Sequence, residues 1–175
     1  MPSTTPSPAE RFAKAKRPEA SLVAVTPSAV FRVAPAMALP VAEAYDVRMC
    51  PEIHQPTALK SKMVNDYINF IEKTGTKYFG INIDFGVFSS KRMNIPGVID
   101  EPSQPEDMIP LLPYTHACHA KFTNMSEDLI ETDHPYDRII PILLDQKWEG
   151  YLLSEYEGPN RDVPGYASDQ LRKQH

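Results

Sequence analysis

Cysteine, long apolar runs and positive charge are all scarce in this 175-residue chain. Its two cysteines, Cys50 and Cys118, form neither a CxxC pair nor a disulfide framework, a usage that fits a reduced, cytoplasmic protein with buried thiols. No apolar run approaches the roughly 20 residues needed to cross a bilayer, so a soluble chain with no membrane partner is expected. Acidic side chains outnumber basic ones, 23 to 18, and the net charge of -5 argues against a nucleic-acid-binding surface. Apolar content itself is not scarce. At 42% hydrophobic, the chain can build the core of one domain, with or without a small appendage.

Residues 1–40 differ in composition from the rest. They are rich in Ala, Pro and Ser with scattered basic residues (Arg11, Lys14, Lys16, Arg17), and Pro35 and Pro40 break any long period. This reads as a disordered arm, with Leu22 to Val33 as its one candidate strand or poor helix. Glu10, Glu19 and the prolines argue against a targeting peptide.

From about residue 41 the pattern is regular. Val47 to Glu52 reads as a strand, with Pro51 near its end, where a missing N–H is tolerated. Met63, Val64, Tyr67, Ile68 and Ile71 then fall at helical spacing, predicting a helix from about Leu59 to Thr74 with Gly75 as its left-handed C-terminal residue. Tyr78 to Asp84 is near-continuously apolar and reads as a strand covered on both faces. Phe85 to Ser103 is expected to be a rim loop, and Ser103 with Glu106 a capping box opening a helix to about Leu112. His116 to Phe122 reads as the third strand. Pro135 opens a further helix carrying Tyr136, Ile139, Ile140, Leu143 and Leu144, with Pro141 inside the pattern at the expense of a backbone hydrogen bond. Tyr151 to Glu155 is the fourth strand, and residues 161–175 a tail or a short, frayed helix.

Strands alternating with helices in this order predict an α/β fold of parallel βα repeats. Parallel strands place their C-terminal tips on one edge, which would bring Glu52, Asp84, His119 and Glu155 together. Three carboxylates and one imidazole suit a hard or borderline divalent ion such as Mn²⁺, Mg²⁺ or Co²⁺. A single carboxylate at a strand end is more often a cap or a solvated group, and a lone histidine more often a satisfied polar residue; four such groups at equivalent positions in successive repeats form a pattern. His54 and Lys121, each two residues past a ligand, would face the same cavity and could hold substrate hydroxyls or a phosphate. The bland alternative for both is a rim residue making surface hydrogen bonds.

Five stretches carry a family resemblance: Pro51-Glu-Ile-His54, Ile83-Asp84, His119-Ala-Lys-Phe122, Pro135 to Leu143, and Gly150 to Gly158. Over residues 42–158 the chain resembles the second half, strands five to eight, of the xylose isomerase-like TIM (β/α)8 barrels, the sugar phosphate isomerase/epimerase group. The resemblance implies that Glu52, Asp84, His119 and Glu155 bind the metal and that Glu52 and Glu155 are the acid/base pair on either side of a sugar or polyol. Glu157 is the less favoured ligand on the last strand. The implied reaction is isomerisation or epimerisation by proton transfer through a metal-bound enediolate, with a lyase or dehydratase of the same scaffold, or an inactive fragment or partner subunit, as alternatives. The related nucleases need more histidines for their three-zinc site than the five present. Half a barrel further implies a homo-oligomer, or a partner supplying the missing strands.

Overall fold

The computed structural model describes residues 27–89, 91 and 102–175, the side chains of 27–34 excepted. Its first element, α1 (Pro27–Tyr45), runs through both Pro35 and Pro40. This corrects the expectation that Pro35 and Pro40 break any long period in a disordered arm up to residue 40, and within 27–33 it takes the helical alternative left open for Leu22 to Val33. Each proline removes one hydrogen bond from the helix, but α1 lies against the next helix and buries Ala42. The remainder of the expected arm, residues 1–26, lies outside the described residues.

The first strand is shorter than its sequence pattern. Met49 donates to Tyr78 O and accepts from Gly80 N, and Pro51 O accepts from Asn82 N. Regular pairing begins only at β1 (Glu52–Ile53), because Pro51 has no N–H to fill the ladder between those bonds. Helix α2 (Lys62–Thr74) starts later than Leu59 because Ser61 is its N-cap, its side chain accepting from Val64 N at 3.3 Å. It ends where its pattern ends, at Gly75 with φ 62° and its N–H bonded to Ile71 O. Strand β2 (Ile81–Asp84) is buried at every position.

The segment after β2 departs from the expected rim loop. Phe85–Phe88 is a 3₁₀ turn with all four residues buried, capped by Asp84. Two phenylalanines and a valine in four residues gain more from the core than from the rim. Residues 90 and 92–101 lie outside the described residues. Ser103 opens no helix: its Oγ accepts from Leu59 N at 2.9 Å, and the cap of the following 3₁₀ helix, Pro105–Tyr114, is Gln104, whose N–H donates to Asp107 Oδ2. Strand β3 (Thr115–Phe122), helix α3 (Tyr136–Asp145) and strand β4 (Tyr151–Tyr156) complete the expected repeats. Pro141 sits inside α3 on its exposed side, while Ile139 and Leu143 are buried. The last element, α4 (Tyr166–Gln174), is docked rather than frayed. Its buried Gln170 accepts from Met125 N at 2.7 Å, and Gln174 donates to Ala120 O at 2.8 Å.

The strands form one open sheet in the order β1-β2-β3-β4, every pair parallel. One face is the core: Ile53, Ile81, Ile83, Cys118 and Ala120 pack against Val64 and Tyr67 of α2 and Ile139 and Leu143 of α3. Burying each of the larger side chains stabilises the fold by about 1.5–3 kcal/mol relative to exposure. Burial also pushes the Cys118 thiol up to about 12, as suits an inert core sulfur. By the pleat, Asn82, Ala117, His119 and Leu153 take the opposite face. No helix among the described residues is long and apolar enough to cross a membrane.

Candidate metal centre

The parallel register brings four ionisable side chains to the C-terminal edge of the sheet. Glu52 pairs with Asn82 and Asp84 with His119, while Glu155 pairs with Lys121, one pleat beyond His119. Partners in a parallel ladder share a face, so Glu52, Asp84, His119, Lys121 and Glu155 all lie on the face opposite the helices. Glu52, Asp84, His119 and Glu155 each offer one ligand atom to a set in which all four lie within 4.8 Å of one another.

His119 is at the centre of this group. Its Nδ1 is 2.7 Å from Glu52 Oε1 and 3.3 Å from Glu155 Oε2. One ring nitrogen can serve only one of these two carboxylates, and Glu52 is the nearer. Glu155 Oε2 is consequently buried with no hydrogen-bond partner. A buried carboxylate oxygen without a partner is costly, and burial pushes the Glu155 carboxyl above the usual carboxylate range. The charges of Asp84 and Glu52 add to that rise, while Lys121 and His119 pull against it. This is the electrostatic state expected of a site assembled for a positive charge: acidic groups held closer together than their own repulsion favours. The donor set fits a divalent cation.

Asp84 is the most enclosed member, 1% exposed. Gly86 N donates to its Oδ1 at 2.5 Å, and Lys121 Nζ lies 3.1 Å from its Oδ2. Gly86 leaves room for this arrangement, because a Cβ at that position would come within 2.6 Å of Asp84 Oδ1 and 3.0 Å of Lys121 Cδ and one of those side chains would have to shift. From the other side, Gln55, itself buried, donates to Gly86 O at 2.5 Å. The turn after β2 is thereby locked against the loop after β1.

The structure separates the remaining expected residues. Lys121 is at the site, but its ammonium is shared between Asp84 and an ion pair to Glu157 Oε2. Burial alone would lower the Lys121 pKa; the hydrogen bond to Glu157 and the Asp84 charge outweigh it and raise it. His54 is exposed and outside the group of four. Glu157 is likewise outside that group, and its pairing with Lys121 is a contact that sequence reasoning missed. The signal was present: Glu155 and Glu157 are two apart, and Glu157 N donates to Phe122 O, carrying the alternation one step past the strand. The Gly86 contact left only the weaker trace of a glycine two residues after an aspartate.

No family model matches the chain. No curated protein matches it either. Among solved structures it is similar to the apo form of 3-keto-D-glucoside 4-epimerase, YcjR, from E. coli, at 15% identity and a TM-score of 0.45. The match covers 83% of this chain and 49% of that one, so the chain spans about half the length of that protein.

Proposed function

We propose that this chain carries the metal centre of a sugar isomerase or epimerase, with Glu52, Asp84, His119 and Glu155 holding one divalent ion and Glu52 and Glu155 transferring the proton. One observation carries the reading: a buried carboxylate oxygen without a hydrogen-bond partner, Glu155 Oε2, on one of four ligand-type side chains that each bring an atom to within 4.8 Å of the others. Oxygen donors with one imidazole favour Mn²⁺, Mg²⁺ or Co²⁺ over a structural zinc. When bound, such an ion supplies positive charge to a substrate oxygen that becomes anionic as a proton leaves the neighbouring carbon.

The protein groups then divide the work. Glu155, on the last strand of the sheet, is suited to return a proton to the substrate carbon. Glu52, on the far strand of the sheet and oriented by His119 Nδ1, is suited to remove one. Asp84, pinned by Gly86 N and Lys121, is held in place as a ligand.

We read the four parallel strands as strands five to eight of a TIM barrel whose remaining strands come from a second copy or another chain. The uncovered face supports this: Tyr151 is 73% and Leu153 47% exposed on the pleat that carries the site. The same exposure favours a second reading, in which the chain keeps its ligand set but turns over substrate only when the missing strands are supplied.

The test is metal content of the purified chain by mass spectrometry, followed by product analysis on a panel of ketoses and inososes. One Mn²⁺ per chain and products of unchanged mass are expected. Loss of water from the product would assign a dehydratase instead, and a chain that binds no divalent ion would overturn the proposal.

A further inference from the structure

Lys121 is the one ammonium or guanidinium, among the described residues, within ion-pair distance of the four-residue group. A cation beside a sugar-binding metal site ordinarily offers a place for a phosphate. Here it is already occupied. Lys121 Nζ is 3.1 Å from Asp84 Oδ2 and ion-paired with Glu157 Oε2, and the lysine side chain is only 18% exposed. Glu157 Oε1 in turn faces Arg161 at 3.9 Å, so the glutamate is held from both sides.

We infer that Glu157 is a specificity-determining residue that makes this site select an uncharged sugar or polyol and reject its phosphate ester. The inference rests on the sugar reading given above. Four carboxylates (Glu52, Asp84, Glu155 and Glu157) gather around the Lys121 ammonium, with the Arg161 guanidinium 3.9 Å from Glu157 on its outer side. A phosphate reaching Lys121 must displace Glu157 from a partly desolvated pair and settle beside the other carboxylates, where like charges repel. A free sugar has the opposite experience, because its hydroxyls are donors and the site is lined with carboxylate acceptors. Glu157 needs no contact with the metal to act in this way. It works through Lys121, by keeping that ammonium from anions.

The experiment is paramagnetic broadening of substrate proton signals by the Mn²⁺-loaded full chain, using a panel of free ketoses and their phosphate esters. At least one free ketose should show saturable broadening, with its ester weaker by on the order of ten-fold. Glu157→Gln should narrow that gap to about three-fold by releasing Lys121, and Glu157→Asp should restore it. An ester that binds as tightly as its parent sugar in the unaltered chain, or a gap that Glu157→Gln does not move, overturns this inference alone. Failure of every ketose and ester to approach the bound Mn²⁺ overturns the sugar reading itself.

Discussion

His119 Nδ1 lies between two glutamates, 2.7 Å from Glu52 Oε1 and 3.3 Å from Glu155 Oε2, and can satisfy only the nearer one. That asymmetry makes Glu155 the member of the site whose charge is least compensated by protein, and it ties metal binding to stability in opposite directions.

Glu155→Gln is therefore expected to stabilise the metal-free chain while lowering Mn²⁺ affinity by more than about ten-fold. The sign follows from the raised pKa. In the folded chain Glu155 keeps its proton to a higher pH than in the unfolded chain, whose carboxyl titrates near about 4.3. Its contribution favours folding more as pH falls from the folded pKa to the unfolded one, and is level below that. Metal binding runs the other way, because the ion must displace the proton. Melting curves and Mn²⁺ titrations of both proteins, followed from neutral pH down to the unfolded carboxyl's value of about 4.3, should show the two trends diverging; parallel trends would refute the assignment.

His119→Ala should abolish divalent-ion binding, whereas Glu157→Ala should leave it largely intact, since the latter residue lies outside the four-atom group. Calorimetric titration with Mn²⁺ reads both. Equal affinity in the unaltered chain and His119→Ala would remove His119 from the ligand set.

Gly86→Ala probes the backbone beneath Asp84. The added methyl would meet Asp84 Oδ1 at 2.6 Å and Lys121 Cδ at 3.0 Å, so the carboxylate has to turn. A fall of roughly 10–100-fold in metal affinity is expected, the scale seen when the support of a ligand is disturbed. An unchanged affinity would show that Asp84 is not held by this turn.

The fold itself is tested by Ile139→Ala. Ile139 is 0% exposed in the layer between α3 and the sheet, and its truncation should cost about 2–5 kcal/mol in denaturant unfolding. A loss below about 1 kcal/mol would mean that this helix is not seated as described.

Association is the remaining expectation. Tyr151, Leu152 and Leu153 are all exposed on β4, which has no neighbour on its outer side among the described residues. Such an edge tends to be covered. Sedimentation should give a mass above 19.7 kDa at micromolar concentration, or a tendency to aggregate that a Leu153→Lys substitution relieves. A clean monomer at all concentrations would count against the half-barrel reading.

Much of this architecture was legible because its signals are local. The apolar positions from Met63 to Ile71 and the glycine after them mark α2 almost to the residue, since helical period and a left-handed cap are short-range properties. The alternation in β3, with Cys118, Ala120 and Phe122 inward and His119 and Lys121 outward, is likewise written in eight consecutive residues. What misled was chemistry whose outcome depends on distant partners. Pro35 and Pro40 weaken a helix locally, yet α1 persists where it lies on α2. Ser103 looks like a cap for its own segment, but its hydroxyl is taken by Leu59 N, 44 residues away.

The candidate site divides in the same way. That Glu52, Asp84, His119 and Glu155 should share one edge follows from the order of the repeats, because parallel strands leave no choice about where their tips go. Which oxygen of Glu155 is left without a partner, and that Lys121 is engaged by Glu157 rather than open to a ligand, depended on distances of a few tenths of an ångström between strands. Spacing along a chain determines which face a side chain takes; only the packed sheet decides how near its charges come, and Coulomb energy depends on that distance.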